Sequence, residues 1–152
     1  MTGRFSQTTV VGAIAAAATT GALVAIGHRM GYTGAPFAAI ASTVIRAAPR
    51  VRAMGDSGAN MVIAGVLFHT AATFIWSALC VSLAVRLRSQ LLAALIVGAA
   101  NFFVSGLIAS TGRGLASELT LGDRVIYAIV LTASLIVGMR YAFLHPRETA
   151  TS

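Results

Sequence analysis

Four stretches of the chain are apolar for long enough to cross a bilayer as helices, and polar or glycine-rich segments separate them. They run over about residues 8–27, 60–85, 90–110 and 124–144. The second stretch, NMVIAGVLFHTAATFIWSALCVSLAV, holds no carboxylate, Arg, Lys or Pro. Any of the four reaches the roughly 20 residues that a helix needs to span a hydrocarbon core of about 30 Å. Between the first two, Phe37, Ile40, Ala41, Val44, Ile45 and Ala48 recur at helical spacing while Arg46 and Arg50 project elsewhere. That pattern predicts a short amphipathic helix in the membrane interface, opened by Pro36 and ended near Pro49. The expected architecture is therefore all-α: a polytopic transmembrane bundle of four helices with an interfacial amphipathic helix in the first connector. No second domain is expected.

Within the first span, Ala13, Ala17, Gly21 and Ala25 repeat every fourth residue, and Gly12, Ala16 and Thr20 widen that face. Such a stripe lets helix backbones approach closely where lipid supplies no hydrophobic drive. It predicts that this helix packs on its neighbours along the stripe. Arg4 before the span raises a secretory leader, but the apolar run is long for one and reads as a retained helix. Ser89 is placed to cap the third span and Asp123 the fourth. Tyr127 and Tyr141 fall near the two ends of the last span, where aromatic belts sit.

Composition agrees with the pattern. Of 152 residues 57% are hydrophobic and only 10% charged, against about a quarter charged in a typical soluble domain. Mean hydropathy is +0.85. The net charge of +7 comes from Arg alone. These Arg residues lie at span ends and in connectors without an aromatic-interleaved basic face, so nucleic acid is not an expected partner. The lipid bilayer and its anionic headgroups are, with Arg46, Arg50 and Arg52 reaching phosphates. Four spans put both ends of the chain on one side. Counting Arg gives five on that side and six on the other, which does not orient the protein; the short Arg86–Arg88 turn favours cytoplasmic termini.

Candidate chemistry centres on His69, the only strongly ionisable side chain deep inside a span. A polar group there is costly unless it meets a partner or water. Spans two and three form a hairpin, and equal distances from its turn place Thr73 and Asn101 at similar depth. The expectation is a polar ladder with His69, Thr73, Ser77 and Cys80 on one helix and Gly98, Asn101 and Ser105 on the other. Two readings stay open. In one, His69 is neutral and its ring N–H bonds Ser105 or a backbone carbonyl while Asn101 bonds Thr73. In the other, His69 faces a ligand cavity with Trp76 as a wall.

Other chemistries fit less well. No two of His28, His69 and His145 share a depth, so a haem clamped by two axial His residues is not expected, and no cofactor is. Cys80 stands alone, without a CxxC pair or a disulfide partner. All four carboxylates, Asp56, Glu118, Asp123 and Glu148, fall outside the spans, which disfavours ion-coupled transport. His28, Arg29, Arg113, Glu118 and Asp123 gather on the connector side, where solvated ion pairs are the expected outcome and a membrane-surface enzyme is the third reading of the chain.

The stretches GVLFHTAATFIWSALCVSL and LLAALIVGAANFFVSGLI, joined by a basic turn, resemble uncharacterised small four-helix bacterial inner-membrane proteins. The likeness covers about residues 60–144 and rests on layout. It implies a four-helix bundle in a bacterial inner membrane and carries no activity. The leading expectation for function is an accessory or assembly protein, as a homo-oligomer or a subunit of a larger membrane complex. The alternative is a small transporter or binder of a lipid or hydrophobic molecule, using a bundle cavity near His69.

Overall fold

The computed structural model of the chain describes residues 2–47, 58–110 and 119–144. Among them every regular element is helical: α1 (Thr2–Arg29), α2 (Ala35–Ala47), α3 (Gly58–Leu87), α4 (Gln90–Ser110) and α5 (Leu121–Leu144). All but α2 are long and apolar enough to cross a membrane, as the four apolar stretches predict. Each predicted span is found, and three of them extend by a few residues. This is a multi-pass helical membrane protein.

Two ends are set by local chemistry. Ser89 caps α4 as expected, its hydroxyl accepting the Leu92 N–H at 3.2 Å, after Arg88 has turned the chain through a left-handed conformation (φ 52°). At α5 the cap is Thr120 and not Asp123. The Thr120 hydroxyl accepts the Asp123 N–H at 3.2 Å, and the Asp123 carboxylate accepts the Thr120 backbone N–H at 3.3 Å as well as the Thr120 hydroxyl proton at 2.7 Å. This reciprocal capping box occupies two orphan donors, which a lone Asp at the first position would not do. Asp123 also pairs with Arg29, tying the last turn of α1 to the first turn of α5.

In space α1 lies between α3 and α5, while α4 packs on α3 and α5 from the other side and α2 packs along α3. The main core gathers Val11 and Ala15 of α1, Cys80 and Val81 of α3, Ala94 and Val97 of α4, and Leu131, Leu135 and Met139 of α5. A second, smaller cluster near the connectors joins Leu23, Ile26 and Phe37.

The buried face of α1 is thus Val11, Ala15, Thr19, Leu23 and Ile26. The stripe Ala13, Ala17, Gly21 and Ala25 is exposed instead, contrary to the expectation from its spacing. The inner face mixes the small residues Gly12, Ala15 and Ala16 with Val11, Leu23 and Ile26, so close approach and side-chain packing share it. Of the flanking small residues, Gly12 does serve close approach: a Cβ there would stand 2.6 Å from the Phe74 ring. Gly65 does the same for α2, because a Cβ on it would run into the backbone carbonyl of Phe37. Gly34 meets Val62 in the same way, so contacts advance together along α2 and the first half of α3. Arg50 and Arg52 lie outside the described residues, as does the side chain of Arg46.

Candidate functional site

His69 is 5% exposed, held on α3 between two aromatic edges. The Phe37 ring of α2 stands 6.2 Å away at 71°, and the Tyr127 ring of α5 stands 6.0 Å away at 68°. Its hydrogen-bond partner is on α1: Thr19 Oγ1 lies 3.0 Å from His69 Nε2. Thr19 also donates to the Ala15 carbonyl at 2.7 Å. A hydroxyl has one proton to give, so toward the imidazole Thr19 can only accept. His69 therefore carries its proton on Nε2, and in the neutral ring Nδ1 is a lone-pair acceptor.

The expected ladder between α3 and α4 does not form. Thr73 donates to the His69 carbonyl at 2.9 Å, Ser77 to the Thr73 carbonyl at 2.8 Å, and Ser105 to the Phe102 carbonyl at 2.8 Å. Each hydroxyl is satisfied within its own helix, the nearest solution open to Ser and Thr. Gly98 abuts Thr132 of α5. Cys80 Sγ lies 3.7 Å from Met139 Sδ, also on α5. The polar side of α3 faces α1 and α5, where the Tyr127 hydroxyl comes beside those of Thr19 and Thr73. Tyr127 is thus part of a polar knot across three helices and not of an aromatic belt.

Next to this knot is a cavity of about 270 Å³. It occupies the space between α2 and α4, which hardly touch one another. His69 closes one side, with Asn101 and Ser105 of α4 and Arg124 and Tyr127 of α5 completing the polar lining. Ile40, Val44, Phe68, Ile108 and Leu119 supply most of the apolar wall. Of the site residues expected from sequence, His69, Asn101 and Ser105 meet here. Thr73, Ser77 and Trp76 do not. Trp76 packs against the main core and forms no wall of the cavity.

Two buried polar atoms in the lining have no hydrogen-bond partner, Asn101 Oδ1 and Arg124 Nε. A buried polar atom left unpaired costs about 1–3 kcal/mol, so these two atoms, in a lining that also holds His69, favour a polar partner in the cavity. The sequence reading missed Arg124, seen only as a charge at a span end, and missed Thr19. Depth could have found Thr19: it lies roughly 15 Å from the Arg29 end of α1, as His69 does from the Gly58 end of α3.

The described residues also form a shallow apolar groove between α4 and α5, lined by Leu95, Phe103, Ile129 and Ile136 among others, with little polar surface to orient a ligand. Comparison with protein-family models, with curated proteins and with solved structures found no match to this chain, and the site is read from its own geometry.

Proposed function

We propose that this is a small integral membrane protein that binds an amphipathic small molecule in the cavity between α2 and α4. The observation that carries this reading is the coincidence of an apolar volume among the helices with unpartnered polar atoms on two of them, Asn101 on α4 and Arg124 on α5. Apolar walls with a few converging polar groups are what small-molecule sites are made of. A purely structural role for His69 accounts for its bond to Thr19 but leaves Asn101 and Arg124 unexplained. The bilayer itself supplies one route of entry, since the gap between α2 and α4 has no described helix across it.

The test is to block the cavity. Ala72 lines it, whereas its neighbour Ala71 is exposed on the outer surface and does not. Solvent extraction and mass spectrometry of purified Ala72→Phe should recover less than a tenth of the small molecule found with the wild type, and Ala71→Phe should match the wild type. Equal recovery from all three would sink the reading.

A second reading is favoured by the outward stripe Ala13, Ala17, Gly21 and Ala25. It suits close approach of another copy of this chain or of a larger complex, the accessory role expected from sequence. In either role we place the protein in a bacterial inner membrane with cytoplasmic termini, on the layout resemblance and the Arg86–Arg88 turn.

A further inference from the structure

The unpartnered atoms of the cavity differ in kind and in depth, and that difference constrains what fills it. Arg124 Nε–H can only donate, and it carries positive charge. Its guanidinium stands beside Gly106 of α4, where a Cβ would lie 3.8 Å from Nη1. Asp123, the one carboxylate among the described residues, is already engaged by Arg29 and Thr120. Five residues deeper along α4, Asn101 Oδ1 can only accept. His69 Nδ1, by the tautomer that Thr19 imposes, also accepts. The helical rise puts Asn101 roughly 7.5 Å below Gly106, the level of the cationic donor, and Ile40, Val44, Phe68 and Ile108 supply apolar wall in the same cavity.

Building on the binding reading above, we propose that the ligand is a compact amphiphile with an anionic group at one end and a hydroxyl or N–H donor at the other. A phenolic carboxylate is the simplest member of the class. The anion meets Arg124, at the end of α5 where the helix dipole also favours negative charge. The donor end reaches Asn101 and His69. Size agrees: a dry cavity of about 150 Å³ takes benzene, so 270 Å³ has room for a ring and two substituents.

The competing occupants fit less of the lining. A lipid acyl chain fills the apolar part but sets methylenes against both acceptors. Water satisfies the acceptors, yet most water positions along Ile40, Val44 and Phe68 lack the two to four polar partners that a buried water takes.

Isothermal titration of the full-length protein in lipid nanodiscs separates these cases with four probes: para-coumarate, cinnamate, methyl para-coumarate and decanoate. Para-coumarate should bind at least tenfold more tightly than cinnamate, which lacks the donor, and than the methyl ester, which lacks the anion. Asn101→Leu should abolish the preference for the hydroxyl, and Arg124→Leu the preference for the carboxylate. The wild-type series decides the matter even if a variant fails to fold. Equal affinities for the aromatic probes, or tightest binding of decanoate, would overturn the ligand class and leave a binding protein. No binding of any probe would also overturn the class; if no small molecule co-purified either, the binding reading would fall with it.

Discussion

Gly65→Ala is expected to unseat α2 and cost about 2–3 kcal/mol, the upper part of the range for overpacking a closely fitted contact. The added methyl has nowhere to go because its neighbour is the Phe37 carbonyl, a backbone atom fixed within α2. Repacking a side chain cannot relieve the collision; the helix must move. Since Phe37, Ile40 and Val44 travel with it, the edge contact on His69 and one wall of the cavity go too. Gly21→Ala is the matched control. A Cβ there meets nothing within 4 Å, so the change should be neutral or stabilise by up to about 1 kcal/mol through helix propensity alone. Thermal unfolding in mild detergent, with a cysteine pair bridging α2 and α3 to report their contact, would check both. Gly65→Ala with wild-type stability and an intact cross-link would show that α2 is not seated as described.

The second large effect is at His69. His69→Ala removes a ring packed edge-on between Phe37 and Tyr127 and leaves a void between α2, α3 and α5. A loss of about 2–4 kcal/mol is expected, at or below the cost of truncating a buried aromatic. His69→Phe should behave differently. Thr19 keeps its bond to the Ala15 carbonyl, so no donor is stranded, and stability should fall by less than about 1 kcal/mol, in keeping with the modest value of single interhelical hydrogen bonds in membranes. The phenyl ring has no acceptor for the cavity, however, and ligand should be lost. Stability and ligand content measured on the same samples would separate the two roles. Equal destabilisation by Ala and Phe would mean that the bond to Thr19, and not the packed ring, ties α3 to its neighbours at this depth. Retained ligand in the Phe variant would remove His69 from the site.

The spans were legible in the sequence because a run such as Asn60–Val85 has no soluble alternative of that length and composition. Which side of each span faces inward was not. On a helix that is apolar all round, periodicity no longer separates lipid from core, and the spacing of Ala13, Ala17, Gly21 and Ala25 marks a face without saying what covers it. The face turned inward carries Leu23 and Ile26 together with Ala15 and Thr19. The partner of His69 was misplaced because chain neighbours were assumed to share their polar faces. In the bundle α3 also borders α1, and Thr19 is at the right depth. Arg124 and Tyr127, three residues apart on one face of α5, read as a terminal charge and a belt aromatic; only the packing of α5 among the other helices gives them a common cavity.

Occupancy of the cavity between α2 and α4 is read by native mass spectrometry of the full-length protein released from gentle detergent. The expected spectrum shows one small molecule per chain, shed on mild activation and missing from an Asn101→Leu, Arg124→Leu double variant that keeps the wild-type unfolding temperature to within a few degrees. A bare chain, or only a variable number of bulk lipids that the double variant retains equally, would contradict it.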